Sequence, residues 1–195
     1  MTPIETPRLI LRNWEARDQP VFHELNSDET IMRFFPFRRT REESDKRLVI
    51  LRAAIEDAGF GFYAAEHKET GECLGMCGIG QLDLEPLFPQ GTFEAGWRFA
   101  ARYWGKGFAA EAAKAAIADG FLNHGLSEFV AIAVKTNQRS IAVMERIGMR
   151  RDLDGDFDHP GVPADQPTLI RHATYRISRN QWARTHWQAV GKQPQ

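Results

Sequence analysis

The residues best equipped for chemistry fall between positions 93 and 123. Gly105-Lys106-Gly107 separates two patterned segments. Before it, Phe93, Ala95, Trp97 and Phe99 alternate with Glu94, Gly96 and Arg98, the pattern of a half-buried strand. After it, Ala109, Ala112, Ala113, Ala116, Ile117, Gly120 and Phe121 recur at spacings of three and four, an apolar stripe on a helix. Glycines at a strand-to-helix turn let backbone N–H groups converge without Cβ interference, and the helix start adds its unsatisfied donors. The chemistry expected there is anion binding, with Arg102 and Lys106 adding positive charge.

Spacing excludes two other uses of such a turn. A nucleoside-triphosphate loop requires GxxxxGK followed by Ser or Thr, and Phe108 does not fit. Gly105, Gly107 and Ala110 match a dinucleotide fingerprint formally. The strand before them alternates instead of running apolar, however, and Lys135, not an acid, closes the following strand.

The run from Arg102 to Ala109, RYWGKGFA, resembles the pyrophosphate loop of the GNAT family of N-acetyltransferases. It is similar to the form found in the branch that acetylates ribosomal proteins and small amines. Further matches occur in the family's order: Thr6 to Arg12, Glu94 to Trp97, and Asn137 to Ser140 leading to Gly148 and Met149. The resemblance spans residues 6 to 177. It implies a mixed α/β fold, mostly antiparallel, with helices on both faces and a V-shaped splay between the two central strands. It also implies acetyl-CoA as co-substrate and direct attack by a primary amine in a ternary complex. Backbone amides of Tyr103, Trp104, Gly105, Lys106, Gly107, Phe108 and Ala109, with the cationic side chains of Arg102 and Lys106, would take the pyrophosphate. The pantetheine arm would lie along Trp97, Arg98 and Phe99 and meet Asn137. An unpaired N–H near Trp97 or Arg98 would steady the thioester oxygen, and Glu94 would be the base. Where many members carry a tyrosine acid this chain has Met144, so the resemblance moves that role to Ser140. Asn137 and Ser140 also read as a helix cap and its first-turn companion.

Other elements must hold these groups in place. A short strand at Arg8–Asn13 and a helix at Arg17–Leu25 are expected, then an aperiodic stretch from Asn26 to Arg39. There Met32, Phe34, Phe35 and Phe37 crowd Pro36 beside Arg33, Arg38 and Arg39. That stretch reads either as the lip of a substrate pocket or as a core plug. Thr40 and Glu43 form a capping box for a helix ending at Gly59. Strands are expected at 61–66, 73–84, 129–134 and 168–177, with a helix running from Asn137 to before Gly148. The alternating Asp152, Asp154, Asp156 and Asp158 lack the glycine and glutamate of a calcium loop, so a solvated turn and no metal are expected. Acceptor walls are expected at Asn26–Arg39 and Asp152–Pro163. His172 is expected to be packed, not catalytic.

The 195 residues suit one domain, 1–195, and a net charge of −1 offers nothing to attract nucleic acid or a membrane surface. Cys73 and Cys77, four apart on a strand, stand ~13 Å from one another, too far for a disulfide. No apolar run spans a membrane, and Met1 to Ile4 lacks a signal-peptide layout, so a cytoplasmic monomer or homodimer is expected. Two rivals to the enzyme remain: a non-catalytic acyl-CoA sensor, suggested by Met144, and an interaction module using Phe34 to Phe37.

Overall fold

The computed structural model describes residues 2–190; Met1 and 191–195 lie outside the description. One eight-stranded sheet organises the chain in the order β1-β2-β3-β4-β5-β6-β8-β7. The strands are β1 Ile4–Glu5, β2 Leu9–Arg12, β3 Phe62–His67, β4 Cys73–Gln81, β5 Phe93–Phe99, β6 Glu128–Val134, β7 Arg150–Asp158 and β8 Arg171–Ser178. Every neighbouring pair is antiparallel except β5 and β6.

Helices cover both faces. On one lies α3, Phe108–Asn123, whose Ala112, Ala113, Ala116, Ile117 and Phe121 are fully buried. Small side chains let it approach the sheet closely: a Cβ on Gly120 would meet Phe129 at 2.4 Å and Ile79 at 2.8 Å. Helix α4, Gln138–Arg146, follows β6 and is capped by Asn137, as expected. On the other face α1, Gln19–Ser27, and α2, Arg41–Ala58, pack Phe22, Leu48, Leu51 and Ile55 into the core with Trp14. The Thr40–Glu43 capping box starts α2, and Gly59, at φ 78°, ends it in the left-handed conformation. One-turn α5, Pro167–Ile170, precedes β8, and α6, Arg179–Val190, follows it.

Four expected boundaries are corrected. The first helix begins with a 3-10 turn at Ala16–Asp18, where Asp18 pairs with buried Arg12. Strand β4 ends at Gln81, not at 84. The last strand starts at Arg171, because Pro167 opens a helical turn. The aspartate run is strand β7 and not a solvated turn. Three of its four acids are matched by cations: Asp152 by Arg176 at 2.7 Å, Asp156 by Lys135 at 3.3 Å and by Arg151, Asp158 by Arg171 at 3.3 Å; Asp154 is exposed. The register with β8 is interrupted between Asp152 and Phe157, and these charge contacts cluster at the interruption, a pattern that hydrophobic periodicity does not register. The two cysteines are free, as expected.

Close backbone approach is required at Gly78 on β4. A Cβ there would lie 1.9 Å from Gly61 O and 2.7 Å from Phe62 Cα. Backbone cannot yield as a flexible side chain can, so Gly78→Ala is expected to cost about 3 kcal/mol in denaturant unfolding. An unchanged midpoint would show that β3 shifts freely.

Candidate functional site

The site opens where the sheet parts. Seven residue pairs join β5 to β4, and seven join β6 to β8, but the register between β5 and β6 consists of Glu94 with Val130 alone. Beyond that pair the β6-facing N–H and C=O groups of β5 have no strand partner. A cavity of about 1010 Å³ occupies this region. Its lining comes from both faces of the sheet: Phe108, Ala109, Asn137, Ser140 and Met144 on the α3–α4 side, and Phe22, Asn26, Phe35, Arg47 and Phe62 on the α1–α2 side.

The turn into α3 has the backbone form expected of an anion cradle. Gly105 at φ 75° and Gly107 at φ 83° are both left-handed. Gly107 caps the helix without a side chain, and the first helical bond runs from Glu111 N–H to Gly107 O at 3.1 Å. The N–H groups of Phe108, Ala109 and Ala110 therefore stay outside the helical ladder. Tyr103, Trp104, Gly105, Gly107, Phe108 and Ala109 line the cavity, as do Trp97, Arg98 and Phe99.

Arg102 and Lys106 do not line it. Arg102 turns away to pair with Glu24, its guanidinium 4.8 Å from the Tyr103 ring centroid. Lys106 is exposed, with Nζ 5.6 Å from the same centroid. The backbone of this turn, more than its two cations, faces the cavity.

A buttress behind the turn escaped sequence reasoning. Arg8 donates to Lys106 O at 3.0 Å and through Nε to Glu111 at 2.7 Å, and its guanidinium sits 4.4 Å from the Phe108 ring centroid. Thr6 donates to the same carboxylate at 2.7 Å. The matching Thr6–Arg12 run was a signal without a role; the role appears only when β2 lies beside α3. Replacing Arg8 by Met is expected to weaken coenzyme A binding roughly three- to tenfold, since loop ordering is then charged to binding. The charge sits in a partly exposed ion pair, so its loss should move Tm by only a few degrees. Calorimetric titration and a melting curve read the two separately.

Glu94 lies partly buried on the α1–α2 side. Burial pushes its carboxyl up to about 7, against the opposing pull of Arg47. Arg98 shares that face of β5, and burial together with Arg39 and Arg47 brings its guanidinium down to about 10. Across the sheet, Ser140 Oγ accepts from Asn137 Nδ2 at 3.0 Å, and Ser140 N–H donates to Asn137 Oδ1 at 3.3 Å. Asn137 is thus the helix cap and a cavity wall at once. Met144, 1% exposed, offers no hydroxyl; Ser140 supplies the hydroxyl on the α4 wall.

Of the two stretches expected to wall an acceptor, 26–39 reaches the cavity: Met32 is buried as a plug, while Phe34 to Phe37, Arg33 and Arg39 line the cavity. The second wall shrinks to His159, Gly161 and Val162, because the aspartates are engaged along β7. His172 also lines the cavity. Its Nδ1 lies 3.0 Å from Ile170 O, its ring packs on Phe157 and His159, and burial lowers its pKa. Among the described residues no cluster of three or more His, Cys, Asp or Glu is disposed to hold a metal, and no helix is long and apolar enough to cross a membrane.

A sheet parted after one parallel pair, with a glycine turn and helix start at the opening, defines an acyltransferase of the GNAT type. The chain belongs to that family: the model for the acetyltransferase (GNAT) domain matches residues 8–150, and the protein is an N-acetyltransferase. The chain is 32% identical over 149 residues to the uncharacterised N-acetyltransferase YnaD of Bacillus subtilis, covering 76% of this chain and 83% of that one. A GNAT acetyltransferase structure from Bacillus anthracis superposes with a TM-score of 0.74 at 27% identity, covering 92% and 99% of the two chains. The fold is shared with RimL, a ribosomal L7/L12 α-N-protein acetyltransferase solved with coenzyme A, at a TM-score of 0.70 and 16% identity over 91% and 98% of the chains.

Proposed function

We propose that the protein, acting as one domain, transfers the acetyl group of acetyl-CoA to a primary amine by direct attack in a ternary complex. The observation that carries this reading is the cavity's passage through the parted sheet. It joins the free N–H groups of the α3 turn on one side to the Glu94 carboxyl on the other. Coenzyme A bound to a protein of the same fold supports the choice of donor.

The residues divide the work. Amides from Tyr103 to Ala109 and the α3 dipole, worth about 0.3–1 kcal/mol per charge, hold the pyrophosphate. Unpaired β5 amides near Trp97 to Phe99 hold the pantetheine as an added strand and stabilise charge on the thioester oxygen. Arg139 and Arg146, on the α4 wall of the cavity, supply further cations for phosphate. Glu94 takes a proton from the acceptor ammonium, the freed nitrogen bonds to the thioester carbon, and as the C–S bond breaks the nitrogen releases its second proton to solvent. Ser140, its oxygen engaged by Asn137, keeps its hydrogen for the departing thiolate and recovers one from solvent.

The deciding experiment is thiol release from acetyl-CoA across primary amines and N-terminal peptides, with cofactor affinity measured in parallel. Amine-dependent release is expected, and Ser140→Ala should lower kcat about tenfold with little change in cofactor affinity. Binding with no release from any amine would favour a sensor, and absence of binding would overturn the reading.

A further inference from the structure

Buried charges in proteins are ordinarily paired. Arg98 is not. Its Nη1 donates to Asn26 Oδ1 at 2.8 Å and to Leu25 O at 3.4 Å, and its plane lies 4.2 Å from the Phe35 ring centroid. Its Nε is buried with no hydrogen-bond partner. No carboxylate among the described residues pairs with it, although a guanidinium carries five donors in a fork suited to a carboxylate.

Its surroundings deepen the imbalance. Arg39 and Arg47 stand near enough to disfavour its charge, and neither makes an ion-pair contact among the described residues, although Arg47 also acts on the Glu94 carboxyl from a distance. Arg39 stacks on Phe37 at 4.6 Å instead. Asp83 and Glu94 are the acids lining the cavity, and Glu94 is committed to the amine in the transferase reading. Asn26 fixes the geometry: its Nδ2 donates to Phe22 O at 2.7 Å, which turns Oδ1 toward Arg98. The fold thus holds the guanidinium in position without neutralising it.

Glu94 and Arg98 share one face of β5, with Cα atoms ~13 Å apart by strand rise. Gly96 lies between them, and the Phe62 ring packs over it, 3.0 Å from where a Cβ would stand, so Phe62 and Phe35 give the stretch between the two groups an apolar lining. We infer that the acceptor amine carries a carboxylate, gripped by Arg98 with Arg39 and Arg47 while its nitrogen is presented to Glu94. This rests on the transferase reading for the role of Glu94, and it narrows the acceptors from primary amines at large to amino acids or acidic peptides.

The test is equilibrium binding, so that it does not depend on turnover. With coenzyme A saturating, to fill the anion cradle, α-amino acids, ω-amino acids of graded length and short acidic peptides are titrated, each beside its carboxamide. At least one acid should bind roughly tenfold or more tightly than its amide. Which arm shows it separates a free amino acid from a peptide. Arg98→Met should remove that preference and Arg98→Lys should keep part of it. Arg47→Gln, at an exposed position where folding is secure, should reduce it. Equal binding of acids and amides throughout, or a preference indifferent to both arginines, overturns the inference. Thiol release is read separately: its absence speaks against the transferase reading, while the binding preference still decides the carboxylate.

Discussion

Glu94→Gln is expected to lower kcat/KM for acetyl transfer by roughly 10²- to 10³-fold while leaving acetyl-CoA affinity within about twofold. The reasoning follows proton location. With its carboxyl raised to about 7 by burial, Glu94 is near the pH at which a base is both ionised and strong enough to accept a proton. In the wild type, kcat/KM should therefore fall with acidity below about pH 7, tenfold per pH unit at the limit. A glutamine has no such limb; whatever dependence remains belongs to the amine and shifts when the acceptor is changed. A rate profile that keeps its inflection near 7 with every acceptor in the variant would assign the base elsewhere.

The same shift makes a stability prediction of definite sign. Folding raises the Glu94 pKa from about 4.5 to about 7, so the folded state holds the proton more tightly than the unfolded chain. Below about 4.5 both states are protonated and no penalty exists. The penalty grows as pH rises and is complete above about 7, at up to about 3 kcal/mol by linkage. The neutral glutamine avoids it. Glu94→Gln should thus be more stable than the wild type at pH 8 and indistinguishable from it at pH 4. Equal melting curves at pH 8 would mean that water reaches the carboxylate freely.

Gly105→Val is expected to weaken acetyl-CoA binding ~10- to 100-fold in a folded protein. A Cβ at Gly105 meets nothing within 4 Å, so no clash threatens the fold. The cost is conformational: φ 75° is strained for any β-branched residue, and relief requires the turn to flip its amides out of the cradle. Asn tolerates this region better, so Gly105→Asn should retain most of the affinity. Equal losses in the two variants would show that the side chain blocks the ligand, and undiminished binding in Gly105→Val would displace the cradle from this turn.

The arrangement around that turn was largely readable from residue order. Alternation in Phe93–Phe99 assigned Glu94 and Arg98 to one face, and the three-four spacing after Gly107 assigned α3 its buried stripe. The Thr40–Glu43 box and the Asn137–Ser140 cap were equally clear. All of these are local: they depend on backbone period and on side chains within four positions of one another. Strand β7 was misread because its pattern is one of charge, completed by Arg176, Lys135 and Arg171 elsewhere in the chain.

What the local pattern could not supply is direction and company. Arg98 meets Asn26 across 72 positions, and Arg8 meets Lys106 across 98. Arg102, adjacent to the cradle in sequence, turns from it to Glu24 across 78. Period places a residue on a face of its element and marked the α3 turn as a place for an anion, whereas the roles proposed for Glu94 and Ser140 came from the resemblance to the GNAT family. Whether a charge there is neutralised, left bare or aimed at a ligand depends on which distant elements the sheet brings beside it. The parting of β5 from β6 and the lack of a carboxylate partner for Arg98 among the described residues are therefore properties of the assembled sheet, because only packing sets which groups lose water and which partners they find.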